Sequence, residues 1–214
     1  MSIKSSSNKL TDLSEFRESK ESKESKTAGR KRCPIAQQNI LEAASGLLNE
    51  IGFSNLTIEG IAAKAGVGKT TIYRHWPNKA SLVMDAFLAE TAPQFPYPDT
   101  GSAITDIREQ MKLVVKVLNS SHGNTVATLI GGSQTDPELA EAFRTHFLAL
   151  RRAESKAVLK KGIEHNEIPS TIDLDMLLDT LYAPLYFRLL IKHAPLTETF
   201  VDQIVDLVVN GLNK

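Results

Sequence analysis

The spacing of apolar residues constrains the fold of this chain more than any other feature of its sequence. Apolar side chains recur every three or four positions, and no segment alternates apolar and polar residues over a useful length. Spacings of three and four place side chains on one face of an α-helix, whereas alternation is typical of a half-buried strand. Two stripes stand out: Ile40, Leu41, Ala44, Leu47, Leu48 and Ile51, and then Ile104, Ile107, Met111, Val114, Val115 and Leu118. The pattern predicts an all-α fold.

The charges of the chain are unevenly distributed although their formal sum is zero. Residues 30–80 contain seven Lys or Arg and three acidic residues, whereas residues 91–214 contain twelve basic and fifteen acidic residues. A basic N-terminal region followed by a mildly acidic remainder is typical of a protein that binds a polyanion through one end. The 42% of hydrophobic residues are enough to bury a core, so disorder of the whole chain is not expected.

The sequence favours a soluble, cytoplasmic protein. Its single cysteine, Cys33, allows neither an intramolecular disulfide nor a cysteine zinc cluster. The first residues lack the apolar core of a signal peptide. The longest apolar stretch, residues 177–191, is interrupted by Asp179, Pro184 and Arg188 and is too short to span a membrane.

Local signals divide the chain into an arm and a series of helices. Residues 1–29 are rich in Ser, Lys and Glu, which predicts a disordered N-terminal arm. Gly52 is placed to end the first helix, and Thr57 and Asn78 are placed as N-caps of later helices. In the second half, Asp136-Pro137-Glu138 combines an N-cap, a proline at the first helical position and an acid in the first turn. After this helix start, an apolar stripe runs through Leu139, Phe143, Phe147 and Leu150.

Residues 63–70 read AKAGVGKT, which also fits the short pattern of a phosphate-binding loop. Such a loop follows a buried strand, which aims successive backbone N–H groups at the phosphates. The residues upstream, LTIEGIAAKA, have helical spacing and several alanines instead. The string therefore indicates a helix, a turn at Gly66 and a second helix, the recognition helix, that enters the DNA major groove. A nucleotide-binding protein of the P-loop type is the alternative, and it predicts stabilisation by nucleotide that Lys69→Ala removes.

Residues 56–83, LTIEGIAAKAGVGKTTIYRHWPNKASLV, resemble the DNA-binding domain of the TetR (tetracycline repressor) family of bacterial regulators. The family pattern is a Thr-initiated helix, I-A-x-x-A-G-V, a recognition helix ending T-[LI]-Y-x-[HY]-[FW], and a Pro/Asn-Lys step, and it matches residues 33–80 without a gap. Gly68 and Thr70 depart from it, since many members have Ser or a similar N-cap at the first position and a small residue at the second.

The resemblance implies two domains and a function. Residues 30–90 would form an N-terminal three-helix DNA-binding domain, with its helix-turn-helix motif at about 57–76. Residues 91–214 would form a C-terminal helical bundle that binds an effector and dimerises. The family implies a transcriptional regulator, a ligand-responsive repressor that acts as a homodimer on a palindromic operator in double-stranded DNA.

The recognition helix presents two different faces. Ile72 and Trp76 lie four residues apart and should pack against the preceding helix. The remaining surface is basic, hydroxyl-rich and aromatic, as expected for contacts with phosphates and base edges. The predicted DNA-binding residues are Thr57, Lys69, Thr70, Thr71, Tyr73, Arg74, His75 and Lys79.

Lys69 and Lys79 each lie in the first turn of a helix, where a cation opposes the helix dipole. A DNA phosphate at the same place would make both positions favourable, because the lysine and the helix amides would bind one anion together. By resemblance to the family, Thr57, Tyr73 and Lys79 are backbone contacts. The basic tract Arg30–Arg32 fits two interpretations, an arm in the neighbouring minor groove or a loose electrostatic tether.

The last two predicted helices, about 173–192 and 197–212, carry more apolar residues than one buried stripe requires. Paired across a two-fold axis they would form a four-helix bundle between two copies of the chain. The alternative is that both are core helices of a monomer.

The region between the linker and these helices is expected to hold a pocket for an unknown small-molecule effector. The candidate lining residues are Met111, Val115, Phe143, Phe147 and Tyr182. Glu164-His165-Asn166-Glu167 lacks a convincing pair of metal ligands and is interpreted as a solvated turn. No metal, cofactor or catalytic grouping is identifiable, so an enzyme is not predicted. A DNA-binding regulator without an effector remains an alternative.

Overall fold

The computed structural model describes residues 32–212, with side chains from residue 35 onward. The predicted arm at 1–29, together with Arg30 and Lys31, therefore lies outside the described residues. The first half contains α1 (Arg32–Asn55), α2 (Ile58–Ala65), α3 (Lys69–Tyr73) and α4 (Lys79–Thr91). The second half contains α5 (Ala103–Leu118), α6 (Ser121–Ser133), α7 (Pro137–Ala142), α8 (Ala149–Glu164), α9 (Leu174–Ile191) and α10 (Glu198–Leu212). Residues 32–212 contain no strand, so the all-α prediction is confirmed.

The first helix is broken at Gly52, as its sequence predicts, but it does not end there. Gly52 adopts φ 75° and ψ 166°, a conformation that L-residues with a side chain rarely adopt. A further helical turn follows and reaches Asn55, whose side-chain amide donates to the carbonyl oxygen of Ile51 at 3.0 Å. The break lets Phe53 and Leu56 turn into the core, where both are buried.

Predicted caps fix the boundaries of the short helices. The Thr57 hydroxyl accepts a hydrogen bond from the backbone N–H of Gly60, and the Asn78 side chain accepts one from Ser81 at 2.8 Å. Each bond satisfies an N–H group that has no partner inside its own helix. The Asp136 side chain caps α7 in the same way, with Pro137 at the first helical position. These three N-cap predictions are confirmed.

A π-helical segment, Phe143–Leu148, joins α7 to α8 and changes the expected stripe. Leu139 and Phe147 are buried as predicted, but Leu150 is 49% exposed. A π-helical turn contains more residues than an α-helical turn, so the residues that follow it are rotated about the helix axis. The stripe of four apolar residues therefore loses its last member, and the segment turns Phe147 toward the interior.

A carboxylate from a distant loop completes the start of α5. Glu167 accepts hydrogen bonds from the backbone N–H groups of Ala103 and Ile104 and from the hydroxyl of the N-cap residue, Ser102. Partial burial raises the pKa of Glu167, but these hydrogen bonds outweigh it and the net pKa is lowered. The predicted solvated turn at 164–167 thus contains one residue that holds α5 to the end of α8.

The last two helices closely match their predicted bounds. One side of α9 is buried through Leu177, Leu178, Leu181, Leu185 and Leu189, and α10 buries Val201, Ile204 and Val205. Among the described helices, none combines the length and the apolar character needed to cross a bilayer.

Candidate nucleic-acid interface and effector cavity

The AKAGVGKT string spans the end of α2, a turn and the start of α3. Gly66 adopts the left-handed conformation (φ 67°, ψ 34°), and the N–H of Val67 donates to the carbonyl oxygen of Ala62 at 3.0 Å. This pattern of a glycine and a backward hydrogen bond closes an α-helix. A helix, not a strand, precedes the string, so the geometry of a phosphate-binding loop is absent from these residues. The two helices and the turn form a helix-turn-helix unit.

The inner face of α3 is fixed by two buried side chains. Ile72 is fully buried and Trp76 nearly so, which confirms that this face packs inward. The indole N–H of Trp76 donates to a carboxylate oxygen of Asp85 on α4 at 2.8 Å. The regular helix ends at Tyr73, but the N–H of Trp76 still donates to the carbonyl oxygen of Ile72. Within the recognition segment, residues 69–76, the regular helix is therefore shorter than the sequence suggests. A further hydrogen-bonded turn extends the segment to Trp76.

The outer face of α3 presents the side chains that the sequence predicts. Lys69, Thr70, Tyr73 and Arg74 are exposed, and Tyr73 leaves 53% of its surface in solvent. Thr71 and His75, which the sequence places at the flanks of this face, are half-buried. The phenol of Tyr73 thus lies on the outer face of α3, outside the core of the domain.

Lys69 is held by a neighbour on α2. Its ammonium group lies 2.9 Å from a carboxylate oxygen of Glu59, and both side chains are more than half exposed. The hydrogen bond with Glu59 raises the pKa of Lys69 and lowers that of Glu59. The cation opposing the α3 dipole thus already has a partner within the chain, which the sequence argument did not anticipate. A DNA phosphate at this position would have to compete with Glu59.

Lys79 is also engaged inside the chain. Its ammonium group donates to the carbonyl oxygen of Phe53 at 2.9 Å and lies 4.2 Å from the centre of the Phe53 ring. Burial lowers the pKa of Lys79, and the Asp136 carboxylate opposes that shift. Lys79 is the first residue of α4, so the amide groups at the start of that helix lie beside it. It is the one half-buried cation in the predicted DNA-binding set, as far as the structure describes that set.

Thr57 and His75 also have partners within the chain. Thr57 is exposed, and its hydroxyl oxygen serves as the α2 N-cap described above. The Nδ1 atom of His75 lies 2.9 Å from the side-chain amide nitrogen of Gln37 on α1. Sequence reasoning missed Gln37, because a single polar residue on an amphipathic helix carries no signal of its partner.

A cavity of about 530 Å³ lies between α4, the linker that follows it and the helices of the second half. Phe147 and Tyr182 line it as predicted, whereas Met111, Val115 and Phe143 are not part of its wall. Met111 and Val115 instead pack fully buried in the core, and α5 turns other residues toward the cavity. The wall is formed mainly by Phe87, Phe95, Tyr97, Gln110, Val114, Val117, Leu118, Val126, Phe147, Arg151, Ser155, Leu178, Tyr182, Tyr186, Phe187 and Leu190.

Apart from Tyr182, the polar lining residues of the cavity were missed by sequence reasoning. The Tyr182 hydroxyl donates to the side-chain oxygen of Gln110 at 2.5 Å, and the hydroxyl groups of Tyr97 and Ser155 are in contact. Gln110 lies on an otherwise apolar helix stripe, and Tyr97 lies in the proline-rich linker. A polar residue within an apolar stripe was the available signal for Gln110. The position of Tyr97 depends on how the linker folds over α8.

The two C-terminal helices leave a row of apolar residues in solvent. On α9 this row is Met176, Ala183, Phe187, Leu190 and Ile191, and on α10 Leu207 is 76% exposed. Three members of the row, Ala183, Phe187 and Leu190, also line the cavity. Spacings of three and four place the α9 residues on one side of the helix. Contiguous apolar surface of this kind marks an interaction site more often than free surface.

An exposed basic and aromatic face on a helix-turn-helix unit, joined to a helical body, defines a helix-turn-helix DNA-binding protein. Comparison with known proteins makes the class specific. Residues 40–86 match the model of the tetR family of bacterial regulatory proteins, and residues 97–208 match that of the tetracyclin repressor-like C-terminal domain. The chain belongs to the TetR family of transcriptional regulators.

The chain matches its relatives over most of their length. The HTH-type transcriptional regulator YdeS of Bacillus subtilis is 40% identical over 183 residues, which cover 86% of this chain and 91% of YdeS. The DNA-binding transcriptional repressor TetR of Mycobacteroides abscessus is 29% identical, with 78% of this chain and 88% of that protein covered. The crystal structure of the TetR family regulator SCO0332 has 33% identity and a TM-score of 0.74, covering 82% of this chain and 97% of the other.

Proposed function

We propose that this chain is a cytoplasmic, non-enzymatic repressor that binds a two-fold-symmetric DNA operator as a homodimer. The observation that carries the proposal is the outer face of α3. Its exposed Lys69, Thr70, Tyr73 and Arg74 lie beside a buried pair, Ile72 and Trp76, that fixes the helix on the domain. Side chains held on a rigid helix can read base edges and phosphates with a defined register.

We expect a symmetric dimer because one helix-turn-helix unit contacts only a short stretch of DNA. A single helix-turn-helix unit contacts too little DNA for selectivity, and dimers of such units bind half-sites separated by one helical turn or a multiple of it. The exposed apolar residues of α9 and α10 support a dimer, because a second copy would remove them from water. The bundle formed by the two helix pairs is the interface that we propose.

The cavity supports a role for a small-molecule effector. Its volume lies within the range of pockets that hold metabolite-sized ligands, and its wall is mostly apolar. FadR of Bacillus subtilis, whose crystal structure contains stearoyl-CoA, has the same fold at 18% identity and a TM-score of 0.61, with 81% of this chain and 98% of FadR covered. We propose that an effector in the cavity shifts the spacing of the two recognition helices and releases the operator.

Selection from random-sequence duplex DNA by the full chain tests this function. The enriched sequences are expected to contain two inverted half-sites whose centres are about 10–11 base pairs apart or a multiple of that spacing. The complex with such a duplex should contain two copies of the chain or a multiple of two. Enrichment of no sequence, or of single unpaired half-sites, would argue against the proposal.

A further inference from the structure

The polar atoms of the cavity form two neighbouring hydrogen-bonded pairs within apolar walls. Tyr182 donates to Gln110, and Tyr97 contacts Ser155, whose hydroxyl donates to the carbonyl oxygen of Arg151 at 2.9 Å. Gln110 and Ser155 are only 1% and 4% exposed. Burial raises the pKa of Tyr182 well above its usual range, so its phenol is a neutral donor. The wall therefore offers hydroxyl and amide groups at a fixed place.

The charged groups of the wall are already paired. Among the described residues, the charged side chains that line the cavity are Arg151, Arg152 and Asp179. Arg151 lies 2.6 Å from Glu154 and stacks on the Phe95 ring, with its guanidinium 4.4 Å from the ring centre. Arg152 lies 2.5 Å from Asp179. A charged ligand would lose its hydration in the cavity without gaining a free counter-ion, which is strongly unfavourable.

We propose that the effector is an uncharged, mainly apolar molecule with one hydroxyl or carbonyl oxygen. That oxygen would exchange hydrogen bonds with the Gln110–Tyr182 pair, while the hydrocarbon part fills the space between Phe87, Phe147 and Leu178. The inference rests on the proposed effector role of the cavity, and it adds the chemical class of the ligand. The same walls disfavour a carboxylate and an ammonium group alike.

Three compounds with the same hydrocarbon chain test the class: 1-decanol, decanoate and decylamine, each titrated calorimetrically into the full chain. Decanol is expected to bind at least about tenfold more tightly than either charged compound, because a buried charge without a partner is costly. Gln110→Leu should weaken decanol binding about fivefold or more, the effect of losing a hydrogen-bonding partner. Gln134→Leu makes the same chemical change outside the cavity and should leave decanol binding unchanged.

Three outcomes would overturn the assignment: tighter binding of decanoate or decylamine, no binding of any of the three, or an equal effect of both glutamine variants. DNA binding by the same samples separates this failure from failure of the proposed function. A chain that binds its selected duplex but prefers decanoate is still a DNA-binding regulator, with an anion read by Arg151.

A separate observation concerns a polar connection between the cavity wall and the end of the recognition segment. Asp85 on α4 accepts the indole N–H of Trp76 with one carboxylate oxygen. Its other oxygen lies 2.7 Å from Nδ1 of His146, in the π-helical segment. The residue after His146 is Phe147, which lines the cavity and packs on Phe87. π-helical turns within α-helices are frequent at functional sites.

We infer that Asp85 is a positioning residue that joins the recognition segment to the cavity wall. A ligand that displaces Phe147 would move His146, and through Asp85 it would move Trp76. A second bridge gives a matched comparison: His122 on α6 lies 3.0 Å from Glu90 on α4, and Glu90 accepts a hydrogen bond from Ser45 on α1. That bridge reaches α1, so its loss should leave α3 in place.

The chain contains a single tryptophan, so its intrinsic fluorescence reports on Trp76. His146→Leu is expected to shift the Trp76 emission and to weaken binding of the selected duplex about tenfold, roughly the effect of losing one charge-assisted hydrogen bond. His146→Gln retains a donor and should restore much of both properties. His122→Leu is the control and should leave the emission unchanged. Emission and duplex affinity that respond equally to His146→Leu and His122→Leu, or to neither, would overturn the inference.

Discussion

Replacing Tyr73 and Arg74 together by alanine is expected to lower the affinity of the chain for its selected duplex by at least about 100-fold. Both side chains are exposed on the outer face of α3. Removing one contact of this kind costs about 1–3 kcal/mol, and 1.4 kcal/mol corresponds to a factor of ten. The effect should be measured by fluorescence anisotropy at several salt concentrations, because loss of a phosphate contact also reduces the salt dependence of binding.

The fold should survive this double substitution, because neither side chain belongs to the core. Thermal unfolding of the variant should therefore resemble that of the original chain. Arg144→Ala is a suitable control, since Arg144 is an exposed arginine in the body that pairs with Glu141. Full duplex affinity in the Tyr73/Arg74 variant, or an equal loss in the control, would contradict the assignment of this face.

Leu207→Glu is expected to convert a dimer into a monomer at micromolar concentration. Leu207 is the most exposed of the large apolar residues that the structure describes on α9 and α10. In a two-fold interface the substitution is present twice, so two unpaired carboxylates would be buried together. We expect the dimer dissociation constant to rise by at least about 100-fold, from a cost of a few kcal/mol in total. Sedimentation equilibrium measures it directly.

Duplex affinity should fall together with dimerisation, because the second half-site would no longer be held by a linked partner. Leu150→Glu supplies the control: Leu150 is also an exposed leucine, but it lies on α8, outside the two C-terminal helices. It should leave the association state unchanged. A Leu207→Glu variant that sediments as the original dimer would exclude this face as the interface.

The sequence predicted the parts of the fold that depend on local chemistry. Thr57, Asn78 and Asp136 cap their helices because their side chains accept hydrogen bonds from N–H groups three residues ahead. The break at Gly52 and the turn at Gly66 follow from the freedom of glycine at positive φ. The burial of Ile72 and Trp76 follows from helical spacing alone.

Features that depend on distant residues were not predictable in the same way. The π-helical segment and α7 both pack on α4, and the extra residue in the π-helical turn changes which residues face the cavity. Lys69 and Lys79 were interpreted as cations awaiting a phosphate, yet Glu59 and the Phe53 carbonyl engage them. Met111 and Val115 share a stripe with residues that do line the cavity, but the rotation of α5 places them in the core. Helical periodicity identifies which residues of a helix are buried. It does not distinguish residues that line a cavity from residues that pack in the core.

Site-specific photocrosslinking would show directly which helix lies against the operator DNA. A benzophenone side chain placed at the position of Tyr73, in the full chain on its selected duplex, should crosslink to DNA at two positions related by the two-fold axis of the operator. The same group at the position of Leu150, on the body, should give no crosslink. Crosslinks from position 150 with none from position 73 would contradict the claim that α3 reads the DNA.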